Sequence, residues 1–162
     1  MKHHQTPGSD SKEYLTPPDI LEKMEEFDLD PCAPIKRPWP IAKQHYTIND
    51  DGLSLDWQGR VWCNPPFDKF TRPKFMARMA EHGNGVMMIP AAFETRPFRE
   101  YVWDKADAIL FLSYRPHYYN NKGERLKFNS GGPMVLVAYG FFNVRVLEQS
   151  DLGPVFKSPW GK

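Results

Sequence analysis

The run Asn64-Pro65-Pro66-Phe67 directly follows Gly59-Arg60-Val61-Trp62-Cys63, and its residue types suit one kind of ligand. Two consecutive prolines fix φ twice and remove two N–H donors, so the carbonyls beside them have no local amide to satisfy them. The Asn64 side-chain oxygen adds a neutral acceptor, and Phe67 adds an aromatic face. The set matches a planar amine, whose two N–H protons go to the two acceptors while the ring stacks on the attached heterocycle. An amine conjugated to an aromatic base is a poor nucleophile because its lone pair is delocalised. Hydrogen bonds to Asn64 and Pro65 would polarise it and aim the lone pair at an electrophile without a strong base, and methyl transfer from a sulfonium fits that demand. The plainer alternative is a rigid turn in which Asn64 caps the following helix.

A second group is Asp28-Leu29-Asp30-Pro31-Cys32-Ala33. Small residues after a strand-terminal acid let a cofactor approach the backbone, and the Asp30 carboxylate can accept from an ammonium or from hydroxyls. A strand-end aspartate also serves as a cap or turn former. Asn49-Asp50-Asp51-Gly52-Leu53 reads first as a turn built on Asp-Gly, with Asp51 a further candidate for the cofactor pocket through an adenine amine. No Gly-x-Gly-x-x-Gly run is present, which argues against a dinucleotide enzyme. The five histidines share no metal-ligand spacing with Cys32 or Cys63, so no metal site is expected, and no Gly-x-Ser-x-Gly supports a serine nucleophile.

These groups need elements to hold them. Phe27–Asp30 alternates with period 2 and reads as a strand. Gly59–Cys63, Gly85–Ile89, Ala108–Leu112 and Met134–Tyr139 are further apolar strand runs. Three helices are predicted: Leu15 to Phe27 with Thr16 as N-cap and Pro17 at the first position, Arg72 to Glu81, and Thr95 to Trp103. The proline-rich, basic segment Ala33 to Thr47 reads as a loop, and the tail after Gly140 is too mixed to assign. Unbroken apolar strands alternating with helices argue for an α/β fold with a parallel sheet covered on both faces. Such sheets bind ligands at the carboxyl ends of their strands, so Asp30 and Asn64 should face one crevice.

The chain of 162 residues suits one compact domain over residues 15–162 behind a polar arm, residues 1–14. Lys plus Arg number 21 against 20 Asp plus Glu, a net charge of +1, so any nucleic-acid contact must come from a local basic patch. The candidate is Tyr114-Arg115-Pro116-His117-Tyr118-Tyr119 with Lys122, Arg125 and Lys127, a solvated hairpin arm being the alternative. No window is apolar enough for a membrane span or signal peptide, and two cysteines outside any Cys-x-x-Cys give no disulfide framework; a cytoplasmic protein is expected.

The order Thr16-Pro17-Pro18, Asp28-Leu29-Asp30-Pro31-Cys32-Ala33, Asp51-Gly52-Leu53, Trp57, Gly59 and Asn64-Pro65-Pro66-Phe67 resembles the phage-type DNA N-6-adenine methyltransferases, the Dam family, from about Leu15 to Tyr139. The resemblance implies a Rossmann-like class I methyltransferase sheet, mostly parallel with a C-terminal antiparallel β-hairpin. It further implies S-adenosylmethionine as cofactor and adenine N-6 in DNA as acceptor, the base being flipped into the pocket at Asn64 to Phe67. By position, Asn64, Pro65, Pro66 and Phe67 look catalytic; Thr16, Pro17, Asp30, Pro31, Cys32, Ala33 and Asp51 look cofactor-binding; and Arg115, Tyr118, Lys122 and Arg125 would contact DNA. Phe67 replaces the commoner tyrosine, keeping stacking and losing a hydroxyl. The Pro34 to Gln44 loop departs from the pattern, and no acidic residue stands clearly at the ribose position. The motif also occurs in enzymes acting on RNA or protein glutamine, and an inactive binding module is a further alternative. A monomer or weak dimer is expected.

Overall fold

The computed structural model describes residues 14–159. All but Tyr14 of the expected arm, residues 1–14, lies outside the described residues. The elements, in order, are α1 (Pro18–Leu21), β1 (Phe27–Asp30), β2 (Ala42–His45), β3 (Val61–Cys63), α2 (Arg72–His82), β4 (Gly85–Pro90) and α3 (Arg96–Phe98) with a π-helical turn (Arg99–Trp103). Then come β5 (Ala108–Phe111), β6 (His117–Tyr119), β7 (Arg125–Asn129), β8 (Met134–Tyr139), α4 (Phe141–Gln149) and β9 (Val155–Lys157). Seven strands form one sheet in the order β2-β1-β3-β4-β8-β5-β9, and β6 and β7 form a separate antiparallel pair.

Strands β2, β1, β3 and β4 pair in parallel, whereas β8 runs antiparallel to both β4 and β5, and β9 antiparallel to β5. The sheet is therefore of mixed direction, with β1 to β5 pointing one way and β8 and β9 reversed. Both faces are covered, as the unbroken apolar strands predict. In β4, Val86 and Met88 enter one core with Trp62, Leu136 and the α4 residues Val144 and Leu147; Met87 and Ile89 enter the other with Phe75, Met79 and Phe98 of α2 and α3.

Four expectations are corrected. The long first helix shrinks to the four residues of α1, capped at Pro17 with no side-chain cap: Leu15 is drawn into a bridge with Tyr119 and Thr16 is buried against Asn64, and at the other end Glu25 takes a left-handed φ of 61° just before β1 starts at Phe27. The Ala33 to Thr47 loop contains β2, an edge strand in which only Ala42 is buried, so it carries little apolar signal. The Thr95 to Trp103 helix is a short α-helix continued by a π-turn. The unassigned tail folds as α4 and β9, with Asn143 buried on α4 and Phe156 exposed on β9, an inversion of the expected pattern.

No helix is long and apolar enough to cross a membrane, and no group of three or more potential metal ligands occurs among the described residues.

Candidate functional site

Because β1, β3, β4 and β5 point the same way, their carboxyl ends share one edge. Since β8 starts at that edge, the β6–β7 pair inserted between β5 and β8 emerges there too. The chain leaves β1 through Pro31-Cys32-Ala33 and leaves β3 through Asn64-Pro65-Pro66-Phe67. Between them opens a cavity of about 600 Å³. Its wall draws on both turns, on Asp51, Gly52 and Leu53, on Thr47 and Ile48 after β2, and on Asp68, Thr71 and Phe75 leading into α2. The crevice expected between Asp30 and Asn64 is therefore present, and Pro31, Cys32, Ala33, Asp51, Asn64, Pro65, Pro66 and Phe67 all line it.

Local chemistry shapes each wall. Gly52 sits against the Pro31 carbonyl, where any Cβ would collide, and its own carbonyl accepts the Trp57 Nε1 proton at 2.8 Å. This close approach, which only glycine permits, brings Asp51 to the cavity with a left-handed φ of 54°. Ile48 is 83% exposed at the rim, an aliphatic side chain with an open face toward the cavity.

Asn64 is held from behind. Its Nδ2 donates to the buried Thr16 Oγ1 at 3.2 Å, which leaves Oδ1 as the free acceptor, and the Cys32 thiol donates to the Asn64 carbonyl at 3.2 Å. Helix α2 starts at Arg72 with Thr71 as N-cap, so Asn64 does not cap it.

Asp68, which no motif in the sequence singles out, tightens the chain after Phe67: its Oδ1 accepts from the Phe70 N–H at 3.0 Å and the Thr71 N–H at 2.7 Å. The Thr71 amide first, and that of Phe70 with it, holds this carboxyl below the usual range. The one available signal is an aspartate immediately after the aromatic residue of the Asn64 turn.

Thr16, Pro17 and Asp30 are not part of the cavity lining; Thr16 and Asp30 bond to the wall residues Asn64 and Cys32. Asp30 is buried, and its Oδ1 accepts the Cys32 N–H at 3.1 Å, which is the turn-forming role of a strand-end aspartate. Burial pushes its carboxyl up to about 7, against the opposing pull of that hydrogen bond and of Arg37. Cys32 and Cys63, far apart in sequence, meet with their sulfurs 3.8 Å apart beneath the cavity, both as free thiols.

On the β6–β7 pair, Arg115, Lys122 and Arg125 are exposed. Tyr118, expected among the DNA contacts, is instead only 3% exposed, and its ring packs edge-on against Phe67 and tilted against Tyr14, with centroids at 5.6 and 5.8 Å. The reason is the bridge from Leu15 to Tyr119, which turns the neighbouring Tyr118 inward. Tyr14 also meets Phe67 edge-on, so the exposed Phe67 ring is braced by two others.

No curated protein and no solved structure matches the chain. A family model described as DNA N-6-adenine-methyltransferase (Dam) matches residues 4–149. With most of the sequence covered, and with both of its strand-end turns opening on one cavity, the chain belongs to the DNA N-6-adenine-methyltransferase (Dam) family.

Proposed function

We propose that this protein binds S-adenosylmethionine in the cavity between the β1 and β3 turns and transfers its methyl group to N-6 of a flipped adenine in DNA. One observation carries the reading: among the described residues the cavity lining holds two carboxylates, Asp51 and Asp68, and no lysine, arginine or histidine. A cavity of that sign suits a ligand bearing a sulfonium and an ammonium, and it repels the phosphates of a nucleotide cofactor. The antiparallel end of the sheet agrees with a Rossmann-like methyltransferase arrangement.

The bound cofactor would supply an electrophilic methyl carbon. Asp51 and Asp68 would hold its polar groups, Pro31, Cys32 and Ala33 would form a close-fitting floor, and Ile48 would cover an apolar face of its adenine. Asn64 Oδ1 and the Pro65 carbonyl would accept the two protons of the target amine, while Phe67 stacks on its ring. Thr16 completes the Asn64 amide: a hydroxyl accepts as readily as it donates, and by accepting from Nδ2 it supports the orientation that turns Oδ1 to an amine. Transfer would form a C–N bond to the amine, break the methyl C–S bond so that the sulfonium leaves as a neutral thioether, and pass one amine proton to solvent.

The test is methyl incorporation from tritiated S-adenosylmethionine into unmethylated duplex DNA, with RNA and glutamine peptides as parallel acceptors, followed by long-read sequencing to locate the modified base and its context. N-6-methyladenine in DNA is expected. Labelling confined to RNA or peptide, or none at all, overturns the reading.

A further inference from the structure

Most exposed aromatic rings of this protein have a partner. Phe93, Phe128 and Phe156 each lean on another ring, Phe142 covers the Arg60 guanidinium, and Phe67 is braced from behind. Tyr114 is tied through its hydroxyl to Asp19, which leaves two exposed rings with neither a ring–ring contact nor such a tie among the described residues: Phe141, 78% exposed, and Phe70, 73% exposed. Phe141 begins α4 just after β8, on the far edge of the sheet. Phe70 lies three residues beyond Phe67, on the loop that leaves the candidate catalytic turn.

That loop is fixed rather than loose. The Asp68 carboxylate ties the Phe70 and Thr71 amides, and α2 starts at Arg72. Phe70 is therefore presented to solvent from a tightened turn, with its ring interaction limited to the adjacent Lys69, whose Nζ stands 5.1 Å from the centroid. Lys69 and Arg72, on either side, form no ion pair among the described residues. An apolar ring flanked by two free cations beside a base-accepting pocket suits a polyanion with stacked bases.

We infer that Phe70 is the wedge of this enzyme: it enters the duplex where the target adenine leaves the stack and occupies the gap, while Lys69 and Arg72 meet the phosphates on either side. This rests on the base-flipping reading above and assigns the partner surface of the same site. Unstacking and unpairing the target base is unfavourable, and a ring that fills the vacated step offsets part of that cost. Phe70 thus acts on the flipping equilibrium, whereas Phe67 and Asn64 act on the base once it is out.

The experiment uses the full chain and a duplex carrying the methylated context found by long-read sequencing, with 2-aminopurine at the target position for flipping and adenine there for methyl transfer. Phe70→Ala should lower both the fluorescence rise and the single-turnover methylation rate at least tenfold. S-adenosylmethionine affinity and thermal midpoint should be unchanged, since the side chain packs on no core. With the target placed opposite an abasic site, where no base pair must be broken, the Phe70→Ala rate should recover to within threefold of the parent. Phe70→Trp should keep flipping on the paired duplex. The inference is overturned if Phe70→Ala matches the parent on the paired duplex, or if its defect is the same opposite an abasic site. Failure of the parent protein to methylate DNA at all would instead overturn the function proposed above.

Discussion

The two edges of the sheet are built on opposite terms. At the amino edge, Arg60 is buried between the Phe27 and Phe142 rings; its Nε donates to Asn143 Oδ1 at 2.6 Å and its NH1 to the Glu26 carbonyl at 2.9 Å. Asn143 in turn donates to Asn84 and to the Tyr139 carbonyl, and Asp28 accepts the Arg60 N–H. Most polar groups there meet one another, with Arg60 NH2 alone of that network left without a hydrogen-bond partner among the described residues, and they close the edge. At the carboxyl edge, among the described residues, the buried Asp30 has one backbone donor and no cationic partner in hydrogen-bond range, Asn64 keeps an acceptor free, and Phe67, Phe70 and Ile48 are exposed. The contrast shows where the fold spends stability and where it leaves groups incomplete for a ligand to finish.

The largest effect should come from Asp30. Its folded carboxyl lies near 7 against an unfolded value of 3.8, so between these values the folded state holds a proton that the unfolded state has released. Stability from this group is full below about pH 4 and falls as pH rises toward 7; the gap between the two values corresponds to at most about 4 kcal/mol. Asp30→Asn, which stays neutral, should remove that slope and raise the thermal midpoint at pH 8 more than at pH 5. Parallel slopes for parent and variant would refute the isolated-carboxyl account.

Asn64→Ala should follow, at ~2.7–4 kcal/mol on the barrier, or about a hundred- to a thousand-fold in single-turnover rate, with cofactor affinity unchanged. Thr16→Val should lower the same rate by a smaller factor and Thr16→Ser restore it. A Thr16→Val variant that instead loses S-adenosylmethionine affinity in calorimetry would return Thr16 to the cofactor.

At the closed edge the readout reverses. Asn143→Ala strands a buried guanidinium and should cost about 2–3 kcal/mol of unfolding free energy in urea, while the methylation rate per folded molecule stays at the parent value. A comparable loss of rate would show that the two edges are not separable. The smallest effect belongs to Tyr118→Phe. The Tyr118 hydroxyl is buried without a hydrogen-bond partner among the described residues, and removing it should leave stability the same or raise it by up to about 1 kcal/mol without changing DNA affinity. Weakened DNA binding would restore Tyr118 to the interface.

Much of the carboxyl edge was legible in the residues themselves. Two prolines after an apolar strand can only form a stiff, donor-poor turn, and Asp-Gly beside small residues marks the other wall. Strand β1 followed from its period-2 alternation, and β3 and β4 from apolar runs, which is the composition that burial on both faces demands. What the residues left unmarked was decided by pairing between distant segments. Edge strand β2 is polar because one face and one side are open. Leu15 and Thr16 look helical in isolation, yet a bridge to Tyr119 and a hydrogen bond from Asn64 outweigh the few residues of helix they would start. Tyr118 looks like a surface aromatic until that bridge turns it behind Phe67, and Cys32 and Cys63 become neighbours only when β1 and β3 lie side by side. Local sequence determined which groups the turns carry. Tertiary contacts decided which of those groups are satisfied from behind and which stay free, because burial and hydrogen-bond partners are properties of the assembled edge and not of any one segment.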